Sequence, residues 1–253
     1  MRASWVGACV LTGTLLAGLG AAEDLCPCPT PTPPPPDWTG SLGGGLGLSG
    51  GNSDTKSYNL TFAAKYDPKS KNVFTADGLY LRSDNQGQAT VDKAALGVRD
   101  EYKVGARAFV FGEVRYLRDA FKEIKYLISP IVGAGVNAVD TAKAKISLDA
   151  AVGGQFEEDT GKASTADGAL QAGERLSVKL SGSAALAERG SGLWKMSDFG
   201  DALYRFEIGL TASVAKRLEL KIGFIDDYKT RPAQPVLKKN DTSLVAALVV
   251  TIG

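Results

Sequence analysis

The sequence contains no histidine, two methionines and three cysteines, and its charges nearly cancel, 29 Lys and Arg against 28 Asp and Glu over 253 residues. Each shortage excludes something. Without an imidazole there is no Ser-His-Asp or Cys-His machinery and no His-ligated zinc or haem, because those chemistries need a ring nitrogen that titrates near neutrality or donates a lone pair. A net charge of +1 creates no long-range field to gather a polyanion, which sets nucleic acid aside as a partner. The cysteines are Cys9, Cys26 and Cys28, so everything beyond them lacks thiol chemistry. Mean hydropathy of −0.05 with 44% hydrophobic residues is that of an ordinary soluble domain, and the length allows one domain with a core.

The N-terminus reads as a secretory signal peptide over residues 1–22. Arg2 supplies the positive start, Trp5 to Leu19 the apolar run, and Gly20 and Ala22 the small residues ahead of a cut before Glu23. Lipidation at Cys9 is disfavoured because almost no apolar segment precedes it. Residues 23–37 form a periplasmic linker containing LCPCPTPTPPPPD. Proline lacks the amide donor and fixes φ, which makes this segment a stiff polyproline spacer. Cys26 and Cys28 are too close for an unstrained mutual disulfide and too few for a metal site. They read as exposed thiols or as a point of periplasmic or intermolecular contact.

From Trp38 onward the recurring signal is alternation with a period of two, as in β-strands, and not helical spacing. In Lys56 to Tyr66, Tyr58, Leu60, Phe62 and Tyr66 oppose Ser57, Asn59, Thr61 and Lys65. Lys145 to Glu157 sets Ile146, Leu148, Val152 and Phe156 against Lys145, Asp149, Gln155 and Glu157. The same division recurs in Arg175 to Ser183, Leu203 to Ala215 and Leu218 to Asp227, and more weakly in Ser41 to Ser49, Val73 to Arg82, Lys93 to Tyr102, Arg107 to Leu117, Leu193 to Phe199 and Ser243 to Ile252. Pro130 inside Ile124 to Val136 predicts a bulge or kink. About twelve strands result.

An apolar face of this kind points either into a soluble barrel or outward to lipid. Here it is thin and regular, while the opposite face mixes charges of both signs with Ser, Thr and Gly, as a narrow wet lumen requires. Trp38, Tyr66, Tyr102, Tyr116, Trp194, Tyr204 and Tyr228 lie near strand ends, where interfacial aromatics belong. Short connections are expected at Asp67–Asn72, Lys103–Ala106, Asn137–Lys143, Glu188–Gly192 and Ala215–Arg217, and longer ones at Ser83–Asp92, Glu158–Ala172 and Tyr228–Asp241. The predicted fold is therefore all-β, an antiparallel transmembrane β-barrel over residues 38–253. Lys65, Arg99, Glu101, Glu113, Arg115, Lys145, Asp149, Arg175, Lys179, Arg205, Glu207, Glu219 and Lys221 are expected to line the lumen.

Three stretches carry a family resemblance: the SGN-D-T turn at Ser49–Thr55, the RYLRDAF corner at Arg115–Phe121, and the Asp-Tyr followed by Pro and Lys-Asn-Asp-Thr at Asp227–Thr242. Over residues 38 to 252 the chain resembles the salt-induced outer-membrane proteins, a bacterial family of unknown function. The resemblance implies a Gram-negative outer-membrane barrel and no established reaction. The chain departs from most such barrels by ending in Thr251-Ile252-Gly253 without a terminal aromatic for the barrel-assembly machinery to read.

No catalytic, cofactor-binding or metal-binding residues are expected. A Ser nucleophile would need a Lys base that no Ser-x-x-Lys places. Asp226–Asp227 and Glu157–Glu158–Asp159 lack the ligand spacing of a calcium loop, and LGGGLGLSGG lacks the Lys-Ser/Thr of a phosphate loop, reading instead as barrel-closing backbone. Arg115, Arg118, Asp119 and Glu123 are a candidate inner or rim charge cluster. The functional expectation is an outer-membrane envelope structural protein or small-solute pore, with outer-membrane lipids as its surroundings and unassigned oligomeric state. Its rivals are a lipid or envelope hydrolase using Ser or carboxylates, and a soluble periplasmic binding barrel.

Overall fold

The computed structural model describes residues 37–49, 55–234 and 236–252. The expected signal peptide, the linker up to its last residue and the interior of the Ser49–Thr55 turn lie outside the described residues. Twelve strands follow one another: β1 (Trp38–Ser49), β2 (Thr55–Tyr66), β3 (Asn72–Asn85), β4 (Gln88–Lys103), β5 (Ala108–Asp119), β6 (Ile124–Asp140), β7 (Ala144–Asp159), β8 (Thr165–Lys179), β9 (Ala184–Lys195), β10 (Ala202–Ala215), β11 (Leu218–Lys229) and β12 (Asn240–Ile252). Each pairs antiparallel with its chain neighbours, and β1 also pairs with β12 over five residue pairs, so the sheet closes on itself.

Alternation becomes two surfaces once the sheet closes. Leu60, Leu96, Val132, Val152, Leu210, Ile222 and Leu248 are exposed on the outside, whereas Arg99, Glu113, Gln155, Glu157 and Asp227 are buried inside. This is the reverse of a water-soluble domain, in which burial follows hydrophobicity. Aromatic side chains gather near both ends of this outer belt. Trp38 stacks on Tyr66 at the end that carries the first and last strand termini, with ring centroids 4.5 Å apart. At the opposite end Trp194 Nε1 donates to the Tyr204 hydroxyl at 3.0 Å, and Tyr204 neighbours Tyr228. A strand of twelve residues tilted as barrels require spans about 30 Å, the thickness of a bilayer's hydrocarbon core.

Closure depends on small residues in β1. Its ladder with β2 runs from Trp38↔Tyr66 to Ser49↔Thr55, but its ladder with β12 runs only from Gly40↔Ile252 to Gly44↔Leu248. A Cβ on Gly45 would overlap the carbonyl oxygen of Ala246 and lie 2.6 Å from Asn59 Nδ2. Only glycine admits that approach of the β12 backbone.

Several expected boundaries move. Glu188–Gly192 is no turn but the middle of β9, and Leu193–Phe199 is the end of that strand followed by a connection. Ser83–Asp92 is mostly strand, with Gln86 and Gly87 at φ 50 and 78 forming a tight turn between β3 and β4. Glu158–Ala172 shrinks because β8 begins at Thr165, and Asn137–Lys143 because β6 continues to Asp140. Local turn residues signalled breaks there that cross-strand pairing overrides. Pro130 produces no bulge: Ile128↔Phe156 and Ile131↔Gly153 keep one register across it, and the shifts lie at Ile124/Tyr126 and Asn137/Val139. A Cβ on Gly153 would overlap the Pro130 carbonyl oxygen, so this glycine gives the proline room.

Candidate functional site: the charged barrel interior

Inward positions in adjacent strands form rows across the sheet, and the rows place guanidinium groups beside carboxylates. Arg99 of β4 is the hub of the first cluster. Its Nε donates to Glu101 Oε1 at 2.7 Å, Nη1 to Glu113 Oε2 at 2.8 Å and Nη2 to Asp149 Oδ2 at 2.9 Å. Arg175 of β8 meets the same acids, Glu101 at 2.7 Å and Asp149 at 3.2 Å. The guanidinium carbon of Arg99 lies 3.4 Å from the ring centroid of Phe111, a buried inward aromatic. Such cation–π contact adds to the ion pairs. Strands β4, β7 and β8 are not all neighbours, so these bonds run through the interior and tie separate parts of the wall together.

A second group shares Glu113. Arg115 Nε donates to Glu113 Oε1 at 2.5 Å, and Arg115 Nη2 reaches across β4 to Asp77 Oδ1 at 3.3 Å. The path exists because Gly97 separates them in the row Asp77↔Gly97↔Arg115, and a Cβ there would stand 3.1 Å from the Arg115 guanidinium carbon. Arg189 of β9 reaches Glu113 at 3.4 Å and Asp77 at 3.8 Å. Thus one buried carboxylate serves three arginines.

The third group lies toward the end opposite the strand termini. Asp227 contacts both Lys93 and Arg205, and Arg205 also contacts Glu207. Lys93 lies 3.6 Å from Asp119. Lys195 bridges Glu157 and Asp201, each at 2.7 Å, and Lys229 also contacts Glu157. Lysine and aspartate are seldom buried unless paired, and here they are paired.

The connection between β5 and β6 folds into this end as a 3-10 turn, Ala120–Lys122, capped by Asp119, whose carboxylate accepts from the amides of Phe121 and Lys122. Lys122 is 1% exposed and its Nζ donates to the carbonyl oxygens of Asp227 at 2.8 Å and Lys239 at 3.0 Å. Gln234, in the connection after β11, donates to both carboxylate oxygens of Glu123 at 2.8 Å. In the closed strand order the β5–β6 and β11–β12 junctions lie half the ring apart. The two connections therefore meet across the mouth.

Of the residues expected to line the lumen, Arg99, Glu101, Glu113, Arg115, Asp149 and Arg175 come together, and Arg205 and Glu207 join the Asp227 group. Lys221 lines an interior cavity. Lys65 pairs with Asp67 and Lys145 with Asp140, both at 3.1 Å near the terminus-bearing end, where Lys179 and Glu219 also lie. The candidate cluster of Arg115, Arg118, Asp119 and Glu123 does not form. Arg118 faces the other side of β5 and pairs with Asp92 at 2.9 Å, Asp119 caps the 3-10 turn, and Glu123, beyond that turn, accepts from Gln234. The two acidic runs split likewise: Asp227 and Glu157 are buried with cations, and Glu158 pairs outside with Lys125 at 2.6 Å.

Sequence reasoning missed Asp77, Lys93, Lys122, Arg189, Lys195 and Lys229, and placed Asp227 on the polar face of its strand without naming it as a lumen residue. Arg189 and Asp77 were obscured by a false turn and an uncertain register. Asp227 carried a usable signal, since its parity matches Lys221 and Ile225.

Residues 43–252 match the model of one family, described as "Protein of unknown function, DUF481". The chain belongs to this family. No curated protein sequence matches it. Among solved structures, the NanC porin superposes with a TM-score of 0.52 at 11% identity, covering 85% of this chain and 99% of that one. The translocator domain of autotransporter NalP from Neisseria meningitidis gives 0.46 at 12% identity, over 85% and 86% of the two chains. The KdgM porin gives 0.45 at 7% identity, over 85% and 98%. The likeness to the NanC porin agrees with the strand order: this DUF481 chain has the closed antiparallel fold of outer-membrane porins, a transmembrane β-barrel.

Proposed function

We propose that this barrel resides in the bacterial outer membrane as a narrow, gated pore for small solutes, without catalytic activity. The observation that carries the reading is the interior itself, walled by paired arginines and carboxylates and bridged at one mouth by two connections held together by Lys122 and Gln234. The outer apolar belt and its two sets of aromatics support the location. Both strand termini then face the periplasm, with residues 1–22 as signal peptide and 23–37 as tether, and the meeting connections bridge the outer mouth. Lipid surrounds the belt, and the barrel-assembly machinery inserts the chain.

Mixed charge along the wall favours weak ion selectivity, since each cation stands next to an anion. Planar-bilayer recording of the refolded barrel tests the reading: small, intermittent steps are expected. Silence from folded protein, both in the wild type and after deletion of residues 231–238, would reduce the barrel to a structural element of the envelope.

A further inference from the structure

A cavity of about 220 Å³ lies between the arginine clusters and the wall built by β2, β3, β4, β11 and β12. Its two sides differ in chemistry. Leu79, Ala95, Ile225, Val245 and Ala247 form one side, with no charge among them, while the rest of the lining carries Arg115, Arg189, Arg205 and Lys221 together with the acids Asp77, Glu188 and Glu207.

Two of these cations have no acid to themselves: Arg189 shares Glu113 and Asp77 with Arg115 and faces Glu207, which Arg205 holds, and Lys221, an exposed residue, pairs with none among the described residues. Arg189 Nη2 meets Glu113 Oε1 at 3.4 Å, but that oxygen already accepts from Arg115 Nε at 2.5 Å. Arg189 Nη1 stands 3.8 Å from Asp77 Oδ1, which Arg115 Nη2 approaches to 3.3 Å. A guanidinium has five N–H donors, so most of those on Arg189 point elsewhere. Arg189 is also the direct cross-strand partner of Arg175, an unfavourable placement of like charges. Lys221 has no hydrogen bond or ion pair among the described residues, and its side chain lines the same cavity.

An anion entering here would relieve this imbalance. Inorganic phosphate would satisfy the cations but leave the opposite wall in contact with nothing. An uncharged apolar molecule would cover that wall and leave the cations as they are. We propose that the cavity binds a compact monocarboxylate with an apolar body, its carboxylate on Arg189 and Lys221 and its body against Leu79, Ile225, Val245 and Ala247. A cavity of about 150 Å³ can hold benzene, so about 220 Å³ restricts the body to a single ring or a short chain. The inference deepens the pore reading by naming a solute class. Binding in micelles does not require conduction, so the two fail separately.

Isothermal titration of the folded barrel in detergent micelles, with protein-free micelles as blank, tests it with benzoate, benzyl alcohol and inorganic phosphate as probes. Heat-modifiable gel mobility verifies that each variant is folded. Saturable benzoate binding is expected, with benzyl alcohol and phosphate each about tenfold weaker or worse, as loss of a charge-assisted bond or of apolar contact implies. Arg189→Gln should weaken benzoate by about tenfold and Lys221→Gln by a smaller factor. Ala247→Phe fills the cavity without changing charge and should abolish binding, with Val245→Phe as a second filling variant. The proposal is overturned if folded wild type shows no saturable benzoate binding, if phosphate binds as well as benzoate, or if neither Arg189→Gln nor a filling variant weakens binding.

Discussion

The ammonium of Lys122 donates to the backbone carbonyl of Asp227, 105 residues away, at 2.8 Å, and so joins the β5–β6 corner to the opposite wall of the barrel. Its other acceptors, the Lys239 carbonyl at 3.0 Å and the Asp241 carboxylate at 3.5 Å, lie on the same far side. A lysine that ends mainly on carbonyls holds backbone in place, here the end of β11 at Asp227 and the end of the β11–β12 connection at Lys239.

Replacing Lys122 by Met keeps the length of the side chain and removes its charge. The two hydrogen bonds and the ion pair that the ammonium makes are worth roughly 3 kcal/mol together. Mean open time in planar bilayers should increase several-fold, and the connection spanning residues 230–239 should become accessible to protease in the folded barrel. Traces indistinguishable from wild type would show that the mouth is governed elsewhere.

Glu113 should be the most sensitive of the interior acids. Its carboxylate serves Arg99, Arg115 and Arg189, so Glu113→Gln leaves three guanidinium groups competing for Asp77, Glu101 and Asp149. Breaking a buried charge network of this kind costs about 3–5 kcal/mol. A urea titration in vesicles would reveal the loss; the outward acid Glu158, which pairs with Lys125, should change by less than about 1 kcal/mol when treated the same way.

Gly45→Leu places a side chain where β12 backbone now lies. The variant should insert poorly and lose the compact, fast-migrating band seen without heating, whereas Gly112→Ala, with nothing within 4 Å of the new atom, should migrate as wild type does. Equal behaviour of the two would mean that the seam can open by an ångström or two at no cost.

On the outer belt, Val132 is 63% exposed. In a bilayer Val132→Arg should cost about 2–4 kcal/mol, falling toward zero for positions nearer the aromatic ends. A water-soluble barrel would tolerate the same change, so folding free energies measured in vesicles separate the two environments.

The architecture was readable because a barrel writes itself into local parity: every inward residue is two positions from the next, and Lys56 to Tyr66 or Lys145 to Glu157 show this without knowledge of any partner strand. Arg99, Glu113 and Asp149 were legible as inward for the same reason. Their meeting was not, since it depends on shear and on where glycines such as Gly97 stand aside. Lys122 was hidden for a further reason. It sits in a 3-10 turn, where parity ceases to apply, and its acceptors are carbonyl oxygens, which leave no trace in the residue type.

The short ladder between β1 and β12 gives the ring an uneven hoop strength. Lateral tension, from bilayer thickness or from a bulky object in the lumen, is shared by all joints in series, so the joint with fewest hydrogen bonds yields first. That joint is also where the two extremities of the barrel's chain meet, Gly40 beside Ile252. A breach there unzips nothing else, because β1 stays fastened to β2 along its whole length and β12 to β11 from Asn240 to Val250. The wall thus has a preset line along which it would part toward the lipid, perpendicular to the axis that the mouth controls.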